Sequence, residues 1–302
     1  MKMRFAFLLG LAAIAGPAFS QTEFFPSPYL TQVTVARPIR ACCATCPVPA
    51  LRGSLVIQKI AAAGPKNALQ LLNEGVARAS IVATDLLFAA KLDDLDSVDR
   101  VETLLALHPE VIHLIVRSET EASRGSNEMP LFNQVDETRG WRVGGVDSDL
   151  VTATALGEQL RLGWVIILFR STSELLEAVR DQKVEPAVVI ASAPSERVSQ
   201  ITGFKLLALR GNIDTLAMYS PATVHYPNLN GNLAVDTLSR QALLVTRSWR
   251  SESMQTRMFR LRNCFEQIVP IIQDQPGTNA AWQAVDGAST RVFGHDGLQH
   301  VG

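Results

Sequence analysis

The chain has 302 residues, 47% of them hydrophobic and 19% charged, a composition that excludes long-range disorder and supplies enough apolar surface for a sizeable core. Its 28 Lys and Arg against 29 Asp and Glu leave no broad cationic field, so neither nucleic acid nor an anionic membrane surface is an expected partner. A length near the limit of a single growing core predicts two lobes.

Residues 1–20 depart from this average. Lys2 and Arg4 precede an apolar run from Phe5 to Gly16, and Ala18-Phe19-Ser20 places small residues at the two cleavage-recognition positions. That is the pattern of a secretory signal peptide cut before Gln21; the run is shorter than the ~20 residues of a membrane-spanning helix. Cleavage would leave 26 basic against 29 acidic residues, a formal charge of -3. An exported, periplasmic protein without membrane insertion of the mature chain is expected.

Gln32 to Ala36 and Ser54 to Ile60 read as strands because of their β-branched residues, with a cysteine segment between them. Cys42, Cys43, Cys46 and Cys264 are disulfide candidates in an oxidising compartment. Cys43-Ala-Thr-Cys46 also has the spacing of a redox or metal pair. Pro47 stands where haem attachment needs His, and local ligands for zinc are lacking, so neither metal nor cofactor is expected. Lys66 to Glu74 then carries Ala68, Leu69, Leu71 and Leu72 at helical spacing and stops at Gly75, before strand character returns over Ala79 to Ala83. This strand, helix, strand order predicts parallel pairing. Leu86 to Leu92 reads as a short helix, and Val101 to Leu107 and Val111 to Arg117 as two buried strands split by His108-Pro109-Glu110.

Ser118 to Gly140 is polar and lacks apolar periodicity, which marks a loop or an interlobe crossing. The alternation then resumes: strand at Trp141 to Val146, helix at Asp149 to Leu162, strand at Trp164 to Phe169, helix at Ser173 to Asp181, strand at Ala187 to Ala191. Ser171-Thr172-Ser173-Glu174 offers a cap to the second of these helices. Phe204 to Leu209 and Asn232 to Thr246 add strands, and a long helix is expected between Glu252 and Asp274 with Pro270 kinking it. The expected organisation is an α/β, two-lobed fold with a ligand cleft between lobes. Lobe 1 takes 21–117 and the chain's return after about 225, the crossing 118–140, lobe 2 141–220, and 221–302 completes lobe 1.

Ligands of open α/β sheets bind outside the strand C-termini, where helix N-terminal amides are unpaired. Three strand-to-helix junctions meet that description: Gly64-Pro65-Lys66-Asn67; Thr84-Asp85; and Gly144-Gly145-Val146-Asp147-Ser148-Asp149 followed by Thr152 and Thr154. Gly64, Asn67, Thr84, Asp85, Gly145, Ser148, Thr152 and Thr154 are the candidate ligand-binding residues. For each glycine a tight turn, and for Thr84 and Ser148 a helix cap, is the competing structural role. Asp147 and Asp149 could hold a cation or a ligand ammonium, and capping by Asp149 is the alternative. The five histidines form no metal-ligand pair on an expected helix; His113, inside an apolar strand, reads as a hydrogen-bonded core residue. No nucleophile elbow, phosphate loop or dinucleotide fingerprint appears, so no catalytic residue is assigned and an enzyme is not expected.

The ordered segments carry a resemblance. Gly64-Pro-Lys-Asn67-Ala-Leu-Gln-Leu-Leu-Asn-Glu-Gly75, Ala79-Ser-Ile-Val-Ala-Thr84-Asp85, His108-Pro-Glu-Val-Ile-His113-Leu-Ile-Val and Gly140-Trp-Arg-Val-Gly-Gly145-Val-Asp-Ser148-Asp-Leu-Val-Thr152-Ala-Thr154-Ala resemble TAXI-type solute receptors of TRAP transporters, with a weaker late match at Val235-Asp-Thr-Leu238. The resemblance spans roughly residues 54 to 270. It implies a receptor whose two lobes close over a small solute, such as an amino acid or dicarboxylate, and deliver it to a membrane subunit. By position it would put Gly64 and Asn67 on one side, Thr84 and Asp85 at a strand end, and Ser148, Thr152 and Thr154 on the opposing lobe. Val35-Ala-Arg37-Pro-Ile-Arg40-Ala-Cys42 replaces the family's opening Gly-rich turn, and Asp149 replaces the glycine after Ser148, which admits a ligand with a cationic or neutral group. Two other readings remain open here: an exported thiol-disulfide or metal-handling protein using Cys42, Cys43 and Cys46, and a receptor feeding a sensor.

Overall fold

The computed structural model describes residues 21–25, 42, 55–62, 65–92, 100–118, 138–209, 218–231, 233–278 and 280–285. The expected signal peptide, the strand at Gln32 to Ala36, Gly64, Cys43 and Cys46 lie outside the described residues.

The elements run β1 (Gln21–Phe25), β2 (Leu55–Lys59), α1 (Pro65–Asn73), β3 (Ala79–Ala83), α2 (Thr84–Leu92), β4 (Val101–Arg117), β5 (Arg142–Val146), α3 (Ser148–Gln159), β6 (Val165–Phe169), α4 (Thr172–Arg180), β7 (Ala187–Ala191), α5 (Glu196–Ser199), β8 (Phe204–Leu207), β9 (Tyr219–Val224), α6 (Pro227–Asn230), β10 (Val235–Arg247) and α7 (Glu252–Gln273), then a 3-10 turn at Ala280–Ala284. Their local signals are plain. Ser171 Oγ accepts the Glu174 amide at 3.2 Å while Glu174 Oε2 accepts the Arg170 amide at 3.0 Å, closing the start of α4. Gly75 takes a φ of 76°, the left-handed turn that ends α1, and its amide bonds Leu72 O at 3.0 Å. The long α7 continues through Pro270 and turns Met254, Met258, Leu261, Phe265, Ile268 and Ile272 inward.

Two long strands organise the molecule. β4 has 17 residues, about 56 Å of extended chain and too long for one small sheet. From Val101 to Val111 it pairs with β10; from Val111 onward it pairs with β7 and β8. β10 divides in the same way, Val235 to Arg240 lying against β9 and Ala242 to Thr246 against β3. The eight strands form one sheet in the order β3-β10-β4-β7-β5-β6, with β8 and β9 added beside β4 and β10. The cores follow the division. Leu105, Leu107, Leu244, Phe265 and Trp282 pack in one cluster, and Leu69, Leu72, Leu86 and Val245 in another, both around the first half of β4. Ile115, Leu175, Val189 and Phe204, and separately Ile112, Val143, Leu156 and Val188, gather around its second half. The fold is therefore α/β and two-lobed, with β4 and β10 as the shared strands.

Two expectations are corrected here. His108-Pro109-Glu110 does not divide two strands: β4 runs through it, because a register shift between Gln241 and Leu243 gives β4 an extra residue there and Pro109 needs no ladder hydrogen bond. The second half of β4 pairs with β7 and β8. β2 pairs with β1 in a separate two-stranded parallel sheet, and β3 pairs antiparallel with β10, so the first strand, helix, strand unit does not make the parallel pair its order suggested. The second block does: β5 is parallel to both β6 and β7. Among the described residues no helix is long and apolar enough to cross a membrane.

His113 is the core residue its setting implies. Nδ1 lies 3.1 Å from the Val189 carbonyl, which can only accept, so Nδ1 carries the proton and Nε2 accepts from the Tyr226 hydroxyl at 3.1 Å. That hydroxyl in turn accepts the Ser195 amide at 2.9 Å. Burial, the main cause, pushes the imidazole down to about 4 against a backbone hydrogen bond that favours charge. A folded-state value below the unfolded one means the unfolded chain binds the proton first. His113 is thus expected to remove up to about 3 kcal/mol of stability as pH falls from about 6.5 to 4. Urea unfolding across that range should show a shallower acid loss in His113→Asn than in the unsubstituted protein.

Candidate functional site

Arg240 sits in the middle of β10, where the strand passes from one half to the other. Register places Glu110 of β4 opposite it on one side and Tyr219 of β9 on the other, so three long polar side chains share one row across adjacent strands. Arg240 is 6% exposed. Its Nε donates to Glu110 Oε2 at 2.9 Å and its Nη2 lies 2.8 Å from the same oxygen. Nη1 donates to Asp85 Oδ1 at 3.2 Å and Oδ2 at 3.3 Å, and also to the Thr152 hydroxyl. The Tyr219 hydroxyl donates to Asp85 Oδ2 at 3.4 Å.

These partners come from both halves. Asp85 occupies the first turn of α2, which starts directly on the last residue of β3; Thr152 occupies the second turn of α3, which follows β5. α2 and α3 pack together, and Val151 of α3 reaches the apolar cluster that contains Leu86 and Leu87 of α2. Thr84 binds the assembly to β10: its hydroxyl donates to Met218 O at 3.1 Å and accepts the Gln241 amide at 3.3 Å. Two helix N-termini, one from each half, thus meet over a single buried guanidinium.

The electrostatics follow from that geometry. Burial alone would raise Glu110, but His108 and Arg240 beside it bring its carboxyl down to about 2. Burial would lower Arg240, yet Asp85 and Glu110 hold its pKa above the ordinary guanidinium value. Burial, helped by the Asp85 charge, raises the Tyr219 phenol. Asp149, in the first turn of α3, is 7% exposed and is pushed up to about 7 by burial, against the pull of the Arg197 and Arg240 charges. One cation faces two carboxylates, with a third carboxyl nearby that titrates close to neutrality. Arg240 is already engaged by its own protein.

Of the residues picked out in the sequence, Thr84, Asp85 and Thr152 meet here. Ser148 is the first residue of α3. Gly145 is buried, and a Cβ there would press on Leu150 at 3.0 Å; one on Gly144 would strike Leu175 and Phe169. Both glycines therefore serve close packing of helix on strand. Thr154 is exposed on the opposite face of α3 from Thr152. Asn67 donates to Gln70 Oε1 at 3.4 Å within α1. Cys42 donates to Gln267 Oε1 at 3.4 Å and packs on the cluster that includes buried Cys264. The residues that sequence reading missed are Arg240 and Glu110; Tyr219, which the sequence offers with Trp141, Trp164 and Tyr226 as an aromatic wall, meets Asp85 through its hydroxyl instead. An arginine at mid-strand in β10 was the available signal.

No protein-family model and no curated protein matches the sequence. Among solved structures, XAC2383 from Xanthomonas citri, bound to chloride ion, has a TM-score of 0.50 at 11% identity over 88% of this chain and 89% of that one. AbpA from Streptococcus pneumoniae, an amino acid ABC transporter substrate-binding protein bound to L-arginine, scores 0.47 at 10% identity over 88% and 95%. A TctC solute binding protein from Polaromonas, without ligand, scores 0.44 at 15% identity over 83% and 89%. The likeness to XAC2383 concerns the fold.

Proposed function

We propose that the chain is an exported solute-binding receptor that holds a small solute between the N-termini of α2 and α3 and presents the closed form to a membrane transporter subunit. The observation that carries this reading is the convergence of the two strand-to-helix junctions, one from each half, over Arg240, with hydroxyl and carboxyl groups of both halves sharing that one cation. The two shared strands, each changing partners at the same level, are the natural axis for opening and closing. On this reading one lobe takes the residues up to the middle of β4 with the chain's return along β10 and α7, and the other takes the residues between.

The finer reading follows the resemblance to TAXI-type receptors and makes the partner a TRAP-type transporter. As for the solute, Arg240 is neutralised by Asp85 and Glu110, so the site favours a guest with a cationic or neutral polar group; a zwitterionic amino acid supplies the ammonium. Thermal unfolding against a panel of amino acids, dicarboxylates and small oxyanions tests it. A saturating amino acid is expected to raise the melting temperature in proportion to the logarithm of its concentration, by the equivalent of about 2.7 kcal/mol at a hundredfold excess over Kd. A melting temperature unmoved by every member of the panel contradicts the reading.

A further inference from the structure

Away from the elements that build the interlobe site, the first three turns of α7 carry a second polar constellation. Glu252, Ser253, Thr256, Arg257 and Arg260 line a depression of about 430 Å³. Ser253, Thr256, Arg257 and Arg260 follow i, i+3, i+4, i+7 spacing and so form one face of the helix, beside the Met254, Met258 and Leu261 stripe that packs on the core. Within that face Arg260 stands out. It is 5% exposed, and among the described residues two of its guanidinium nitrogens, Nε and Nη1, have no hydrogen-bond partner. A buried guanidinium with two of its three nitrogens unpartnered is costly to keep. The chain keeps it on one helix face with a second arginine and two hydroxyls.

We propose that this face of α7 is an oxyanion-binding site of the phosphate class, with Arg260 as its principal ligand. A planar guanidinium presents paired N–H donors in the geometry that a phosphate oxygen pair accepts. Arg257 borders the same depression; its Nη1 points to Met254 Sδ at 3.2 Å, a weak acceptor that an anion can displace. The Ser253 and Thr256 hydroxyls supply neutral donors, and Ser253 Oγ is already linked to Ser251 Oγ at 2.7 Å. Exposed Glu252 at the rim opposes the two arginines with one negative charge. The phosphate group belongs to a free anion or to a phospholipid headgroup, and the two are separated below. This site is independent of the solute reading, since it uses no residue of α2, α3 or β10.

The test compares thermal unfolding in inorganic phosphate and in chloride at matched ionic strength, for the unsubstituted protein, Arg260→Met and Thr256→Val. Phosphate is expected to raise the melting temperature of the unsubstituted protein in a saturable way. Arg260→Met should lose that rise and, in chloride, melt no lower than the unsubstituted protein, because it removes a buried charge two of whose nitrogens lack a partner. Thr256→Val, at a half-buried position, should keep the fold and need a higher phosphate concentration for the same rise. Co-sedimentation with phosphatidylglycerol vesicles assigns the source: Arg260-dependent sedimentation identifies a lipid headgroup, and a phosphate response without it identifies the free anion. An identical phosphate response in Arg260→Met, as general salt exclusion would produce, overturns the proposal, as does no response in the unsubstituted protein. A large loss of stability in the Arg260→Met variant in chloride also overturns it, since that would give Arg260 a structural partner.

Discussion

Replacing Arg240 with methionine is expected to destabilise the protein by about 3–5 kcal/mol, the usual consequence of removing one member of a buried ion pair. The cause is specific. Asp85 is fully buried and Glu110 15% exposed, and both would keep most of their desolvation while losing the cation that compensates it. Thr152 and Tyr219 lose the centre around which they are arranged. If the loss comes from uncompensated carboxylates, the triple change Arg240→Met, Asp85→Asn, Glu110→Gln should recover a large part of it, although it removes more hydrogen bonds. Urea unfolding at neutral pH measures both. A loss below about 1 kcal/mol for the single change would mean that the cluster is not the joint between the halves that its geometry describes.

Asp149→Asn is expected to act in the opposite direction, and only at high pH. Burial raises the folded-state value of this carboxyl to about 7 from 3.8, so between those values the folded chain holds a proton that the unfolded chain has released. Its contribution is fully present below pH 4 and is lost as pH rises through 7. Asparagine, which resembles the protonated carboxyl, should therefore stabilise the protein by up to about 4 kcal/mol at pH 8 and change little at pH 4. Melting temperatures of both proteins from pH 4 to pH 9 should diverge with rising pH. Parallel curves would mean that Arg197 and Arg240, the cations that face it, keep Asp149 ionised throughout. His113 works in the reverse sense between pH 4 and 6.5, so the two effects partly offset each other in the unsubstituted protein and separate only in the single variants. The Asp149 charge also bears on ligand choice: as pH passes 7 the junction gains a negative charge, and affinity for a guest with a cationic group should rise with it.

How far the sequence announces this architecture differs between its halves. From β5 to β7 the apolar pattern switches cleanly between two-residue and helical periods, and the cap at Ser171 marks one of the changes, so order, type and parallel pairing are all readable. Around β4 the same rules mislead. Pro109 is ordinarily a strand terminator, but a bulge opposite Gln241 absorbs it, and that depends on a partner strand more than a hundred residues away. β9 was missed because Ser220-Pro221 breaks its alternation, although Pro221 lies in ladder register opposite Leu238. The site shows the same boundary. Thr84, Asp85 and Thr152 are visible because local order puts them at strand-to-helix junctions. What they touch is set by β10, with Asp85 and Arg240 155 residues apart. At Gly144 and Gly145 a neighbouring leucine occupies the space a Cβ would take, and a glycine that admits a ligand has the same sequence signature.

Hydrogen–deuterium exchange of the protein, with and without a saturating amino acid drawn from the melting panel, tests most directly whether a guest lies between the two halves. The account predicts that the amides of the first turns, Thr84 to Leu87 in α2 and Ser148 to Val151 in α3, become protected together, with slower exchange also at the level of Gln241 where the shared strands change partners. Protection confined to one half, or spread over elements remote from these two helix starts, would contradict it.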